Sequence, residues 1–340
     1  MRRIGIGLFV ALAVWAVVPG WSGEAHPPRL GKARMIVERV ALDPRDPARR
    51  RVGRLTFLGG LQLASPDPAF GGFSALSVGT GGAVTLVSDG GNVVRFRVLP
   101  DWRVRDVRFG RLSAGPGSGW EKRDRDAESM ATAPDGTFWI GFEGENAIFR
   151  YRPDGGFDGR VFPGAMRRWL ANGGPESLAR LPDGRFVAIG ESQRARRTMT
   201  RQKGKRRARK ALLFARDPLI DRRPARFAYL PPAGFSPSDA AALPDGSLLV
   251  VNRRFRLPYR FVTVLTRVPA GALRAGKAAA GAPIATLDRP LLHDNFEGIA
   301  VTREGRDTIV WLVSDNNESM FQRTLLLKFR LEGTHAVRLP

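Results

Sequence analysis

The chain of 340 residues contains no cysteine and only 3 histidines. Without a thiol, cysteine nucleophiles, thiolate metal sites and disulfide staples are all excluded, so stability must come from packing. Helical periodicity is almost absent. No Gly-x-Ser-x-Gly elbow occurs, which leaves a serine-hydrolase triad without support. Gly115, Gly117 and Gly119 lack the Gly-Lys-Ser/Thr ending and the strand-to-helix context of a phosphate loop, and read as a flexible connection. The N-terminal apolar run, residues 4–18, is shorter than the roughly 20 residues that span a bilayer. Acid is scarce as well: 32 Asp and Glu face 55 Lys and Arg, a formal charge of +23.

Arg2 and Arg3, the apolar run, Pro19-Gly20 and the small residue Ala25 together have the form of a secretory signal covering residues 1–25. The expectation is an exported protein, periplasmic or secreted, that touches the membrane only through this segment. The positive surplus points to a polyanionic partner. An exported chain rarely meets nucleic acid, however, so none is expected, and a composition rich in Arg, Gly, Ala and Pro is a competing account of the charge. The 43% of hydrophobic residues suffices for a large core.

A repeat organises the remainder. Glu128-Ser129-Met130-Ala131 aligns with Glu176-Ser177-Leu178-Ala179, and each is followed at an offset of six residues by a Pro-Asp-Gly turn, at 134–136 and 182–184. The same offset links Ser238 to Pro244-Asp245-Gly246 and Glu297 to Arg303-Glu304-Gly305. A looser copy begins at Ser74. The five starts are 54, 48, 62 and 59 residues apart, and the second copy reads as four strands separated by turns. Four-stranded units of this size, arranged radially, predict an all-β propeller of five blades. Six blades would follow if residues 35–42 formed a further one. The fifth copy lacks a fourth strand, which the stretch 54–63 is expected to supply, closing the ring from the N-terminus. The propeller is thus assigned to residues 54–340, after an extension at 26–53.

In such a blade the start of the innermost strand and the end of its hairpin partner share one end of the ring. The starts are Ser74, Glu128, Glu176, Ser238 and Glu297; the partner ends are Asp89, Glu143, Glu191, Arg253 and Asp315. Seven of these ten positions are acidic in a basic protein. Carboxylates that converge repel one another, so they need cations, arginines or shared protons. Oxygen donors suit a hard cation such as Ca²⁺, and Asp126, Asp294, Asn295, Asn316 and Asn317 add oxygens nearby. The alternative is that each carboxylate caps its own blade or pairs with an arginine. His293, beside Asp294, is the histidine nearest this face. The segment 194–210 carries ten Lys or Arg in 17 residues and follows on Glu191. It reads as a solvated loop, or as a lure that draws a polyanionic substrate to the acidic end.

The strings Gly72-Phe73-Ser74-Ala75-Leu76, Asn172-Gly173-Gly174-Pro175-Glu176-Ser177-Leu178-Ala179, Phe235-Ser236-Pro237-Ser238-Asp239 and Asp294-Asn295-Phe296-Glu297-Gly298-Ile299-Ala300 resemble the phytase-like family, "esterase-like activity of phytase". The resemblance covers about residues 54–331. It implies a bacterial propeller that hydrolyses phosphoesters or esters. By the phytase analogy, Ca²⁺ would neutralise phosphate oxygens, with Glu128, Glu176, Glu191, Glu297 and Asp315 as ligands and Asp89, Asp294 and Asn295 beside them. Arg253 and His293 are the candidates for holding substrate; no catalytic residue transfers. Asn252-Arg253 and the basic insertion depart from the pattern. A propeller that only binds a ligand or a protein at the same face is the rival function.

Overall fold

Runs such as Ile309-Val310-Trp311-Leu312-Val313, in which every side chain is buried, have no polar face to offer water. A strand of this kind must be covered on both sides. In the computed structural model, which describes residues 28–119, 121–170, 173–195, 207–257, 260–317, 319 and 321–333, the cover is supplied by neighbouring blades. Leu249 and Val251 pack towards Phe296, Val310 and Leu312 of the next blade. Leu248 and Val250, pointing the other way, pack towards Val187, Ile189 and Phe227 of the preceding one. The two-residue period of a strand thus feeds two cores at once. Fully burying each large apolar side chain is worth about 1.5–3 kcal/mol.

Five blades of antiparallel strands result, and in blade three Ala278–Ala280 adds parallel to the outermost of them, Ala225–Leu230. Blade one comprises Phe73–Val78, Ala83–Ser88, Asn92–Val98 and Val104–Arg111, and blade two Ala127–Thr132, Phe138–Phe142, Ala147–Tyr151 and Phe157–Val161. Blade three comprises Ser177–Arg180, Phe186–Arg194, Arg209–Phe214 and Ala225–Leu230, and blade four Ser236–Ala242, Leu248–Arg256, Arg260–Val268 and Ala282–Leu287. Blade five begins Asn295–Glu304, Asp307–Asp315, Thr324–Leu331. Among the described residues there is no α-helix, only short 3-10 turns.

Leu55–Ala64 pairs antiparallel with Thr324–Leu331 from Leu331↔Leu55 to Thr324↔Leu63, and so lies at the outer edge of blade five. Ile36–Arg39 adds beyond it, with Ile36 opposite Ala64. That stretch is therefore a further strand of blade five and not the start of a sixth blade. Where blade five meets blade one, Gly298 lies against Leu76 so closely that a Cβ would come within 3.0 Å of the Leu76 Cβ and 2.6 Å of Val313 Cγ1. Glycine is the residue that permits this approach.

The Pro-Asp-Gly turns end the hairpins away from the carboxylates. Asp135 Oδ1 accepts the Thr137 N–H at 2.9 Å, and Asp183 and Asp245 accept those of Arg185 and Ser247 at 3.1 Å each. Gly136 takes φ +88°, a conformation that favours glycine.

Candidate functional site

Four of the five inner strands bear a β-bulge at the same place. The ladder slips between Phe73 and Ala75, Ala127 and Ser129, Pro237 and Asp239, and Phe296 and Gly298. The residues set aside are Ser74, Glu128, Ser238 and Glu297. These are the repeat starts, and a bulge turns the added residue out of the ordinary alternation. In blade three Glu176 lies just before the strand, its N–H donating to the Gly174 carbonyl at 2.9 Å.

Hydroxyls from the preceding blade hold the backbone at these points. Ser129 Oγ donates to the Pro175 carbonyl, just before Glu176, at 2.6 Å. Ser74 does the same to Ala127, before Glu128, and Ser238 donates to Phe296, before Glu297, at 3.0 Å. Asp239 is the acidic counterpart: it is 1% exposed and accepts the N–H groups of Ala240 at 2.7 Å and Ile299 at 2.9 Å, tying blade four to blade five. Burial pushes its carboxyl well above the usual range despite those donors. Sequence reading did not single it out as a site residue, because its only signal was its place after Ser238.

The carboxylates form two groups. In one, Arg253 is central: it donates to Glu297, to Glu191 Oε1 at 3.2 Å and to Asn295 Oδ1 at 2.6 Å. Asn295 Nδ2 in turn donates to Glu297 Oε1 at 2.8 Å. Burial raises the Glu297 carboxyl, and Arg253 offsets part of the rise. The carboxylates around Arg253 in turn push its guanidinium pKa upward, against burial.

The second group is made of carboxylates that face one another. Ligand oxygens of Asp126, Glu128 and Glu143 all lie within 4.8 Å of one another. Glu143 is 9% exposed and accepts the N–H groups of Gly173 and Gly174, the latter at 3.0 Å. Burial, followed by Asp126, pushes its carboxyl up to about 8. Glu128 is raised well above its ordinary value by burial and then by Glu176, Asp126, Glu297 and Glu143; every leading influence on it acts in that direction. Glu176 is raised by burial and Glu191, with Arg253 opposing.

Of the sequence-derived candidates, Glu128 lies in the three-carboxylate cluster, Glu176 adjoins both groups, and Glu191, Glu297 and Asn295 surround Arg253. Asp315 accepts the Asn317 N–H at 2.7 Å and is raised by burial, Glu297 and Asp89. The Asp89 carboxylate packs on Gly72, where a Cβ would meet its Oδ1 at 2.7 Å. Asp294 is occupied by the Asn295 N–H and by the Arg323 N–H and Nε at 3.0, 3.2 and 3.3 Å. His293 Nδ1 meets the Leu291 carbonyl at 2.8 Å, and Arg289 Nε lies 3.5 Å from its other nitrogen. Asp126, noted in the sequence for its added oxygens, and Glu143, one of the partner-strand ends, are the ones that join Glu128. The basic insertion leaves blade three beside Glu191, between the paired Arg194 and Arg209; residues 196–206 lie outside the described residues. Arg209 Nη2 donates to Ser236 Oγ at 3.0 Å.

The family model described as "Esterase-like activity of phytase" matches residues 68–318. No curated protein matches the chain. Among solved structures, the PQQ-bound aldose sugar dehydrogenase of Streptomyces coelicolor is 16% identical, with 88% of this chain and 99% of that one covered and a TM-score of 0.43. A catalytically inactive virginiamycin B lyase from Staphylococcus aureus, with quinupristin, is 12% identical over 88% and 100%, with a TM-score of 0.41. The family match takes in all five inner strands and both groups of carboxylates, and the chain belongs to the phytase-like family.

Proposed function

We propose that this chain is an exported, cation-dependent hydrolase of phosphoesters or carboxylic esters, working at the carboxylate end of the ring. The observation that carries the reading is the approach of Asp126, Glu128 and Glu143 oxygens to within 4.8 Å of one another while the Glu128 and Glu143 carboxyls are raised. Three oxygen donors held this close suit a hard divalent cation such as Ca²⁺, and these residues would hold it. Bound there, the ion would polarise a phosphoryl or carbonyl oxygen and acidify a water.

The chain's own contribution is placement and proton handling. Glu143, raised to about 8 in the ion-free protein, would give up its proton when the ion binds. Arg253 is held in place by Glu191, Glu297 and Asn295 and would orient an anionic substrate. The basic insertion beside Glu191 would raise the local concentration of a polyanion. The rival reading, a binding propeller without catalysis, draws on the neutralisation of Glu191 and Glu297 by Arg253 from within the protein.

Phosphate release from inositol phosphates, compared with ester and lactone panels with and without Ca²⁺, separates the two. Turnover that needs Ca²⁺ and fails in Glu128→Gln supports the hydrolase. Substrate binding without turnover in every panel supports the binding propeller. Export is tested by the intact mass of protein recovered from the periplasm, where retention of residues 1–20 would refute cleavage; the segment itself lies outside the described residues.

A further inference from the structure

A cavity of about 610 Å³ lies at the other end of the ring, between the lower halves of the inner strands and the turn Pro134-Asp135-Gly136. That volume falls within the range of small-molecule pockets. Its lining combines larger apolar residues such as Met130 and Ile299 with small ones, Ser77, Ala131, Ala179, Ala241 and Ala300, at one equivalent position of all five inner strands. The repeat thus places little bulk here and leaves space in every blade.

One residue breaks the apolar and hydroxylic character of the next position but one-sidedly in charge. Where the other blades carry Val78, Thr132, Ala242 and Val301, blade three carries Arg180, half-buried on the inner strand itself. Arg303, exposed near the end of the inner strand of blade five and opposite Thr308, lines the same cavity. Neither arginine makes an ion pair among the described residues. Nearby carboxylates are already taken: Asp183 by Arg185 at 2.7 Å, Asp245 by Arg267, and Glu304 by Lys328 at 2.7 Å. Asp135 is the sole carboxylate lining the cavity, and its Oδ1 is held by the Thr137 N–H. Two guanidinium groups against one carboxylate leave the lining with a net positive charge. Thr132 Oγ1, which donates to Ser77 Oγ at 3.0 Å, adds hydroxyls to the same wall.

We propose that this cavity is a second ligand site, separate from the carboxylate end, for a small organic anion: an apolar body seated on the alanine-rich wall, with its carboxylate or phosphate between Arg180 and Arg303. A guanidinium binds such groups through charge-assisted hydrogen bonds, which are the strong ones.

The test is titration calorimetry of the whole protein with benzoate, which is not an ester and so reports binding without turnover, and with benzyl alcohol as the neutral control. Benzoate binds saturably with one site, benzyl alcohol does not, and Arg180→Gln and Arg303→Gln each weaken benzoate about tenfold or more. Asp135→Asn tightens it, because the opposing charge is gone. Glu128→Gln, at the far end, leaves it unchanged. Equal binding of the neutral analogue, benzoate affinity indifferent to both arginine changes, or no saturable binding in the millimolar range would overturn the proposal. None of these outcomes depends on hydrolysis, so the proposal and the hydrolase reading fail separately.

Discussion

Ser129 Oγ donates a 2.6 Å hydrogen bond to the Pro175 carbonyl, and in doing so blade two holds the backbone from which Glu176 of blade three projects. The bond is buried, and neither group has water to fall back on. Ser129→Ala should therefore cost about 1–3 kcal/mol through the orphaned carbonyl. Thermal denaturation should show a melting temperature lower by a few degrees, whereas Thr132→Ala, on the exposed part of the same strand, should change little. Equal melting of the two variants would mean that the inter-blade bond contributes nothing.

Arg253 neutralises Glu191 and Glu297 where water is largely excluded. Arg253→Met should cost about 3–5 kcal/mol at neutral pH, because it leaves uncompensated carboxylates inside the ring. Adding Glu297→Gln should restore part of the loss. Urea denaturation of the single and double variants measures both; a double variant no more stable than the single one would remove Arg253 from this role.

The raised carboxyls set a pH dependence. In the unfolded chain Glu143 loses its proton near its ordinary 4.5, but in the folded, ion-free protein only at about 8. Between those values the native state binds more protons than the unfolded state, so the contribution of Glu143 to stability is fully present below about 4.5 and is lost as pH rises towards about 8. Glu128, Glu176 and Asp315, also raised by burial, act in the same direction. Unfolding free energies of chelator-treated protein across this window should decline. Stability that rises with pH there would show that these groups are ionised in the native state.

A cation that binds the deprotonated cluster should oppose that decline. Ca²⁺ at a hundredfold excess over its Kd should add roughly 2.7 kcal/mol and raise the melting temperature, and a chelator should reverse this. Glu128→Gln and Glu143→Gln should abolish the response, while Asp183→Asn, at the opposite turns and paired with Arg185, should preserve it. Release of protons on Ca²⁺ addition near pH 7, followed with a weakly buffered indicator, is a second readout. A melting curve unmoved by Ca²⁺ and chelator alike would favour the binding propeller.

Deleting residues through Leu63 removes the strand that pairs with Thr324–Leu331 and exposes the buried Leu326 and Leu327. Loss of cooperative unfolding is expected by calorimetry. Deletion through Lys32 leaves both N-terminal strands in place and should melt as the full chain does.

The sequence by itself determined the four-stranded repeat, a ring of five or six blades, and the end of the ring at which the acids gather. Those depend on local periodicity and on turns such as Pro134-Asp135-Gly136, whose hydrogen bonds close within two residues. The 15-residue spacing already placed Glu128 with Glu143 and Glu176 with Glu191. What it left open was which carboxylates keep company with a cation of the protein. Arg253 is far in sequence from Glu191 and near Glu297 only through Asn295, and its choice among them depends on how the blades meet round the ring. The bulges that aim Glu128 and Glu297 belong to tertiary structure too, since each requires a partner strand to slip against and a hydroxyl from another blade to fix it. Charge balance within the ring is a sum over five blades. Local sequence places each carboxylate, but only the closed ring decides that Glu191 and Glu297 meet Arg253 while Asp126, Glu128 and Glu143 face one another.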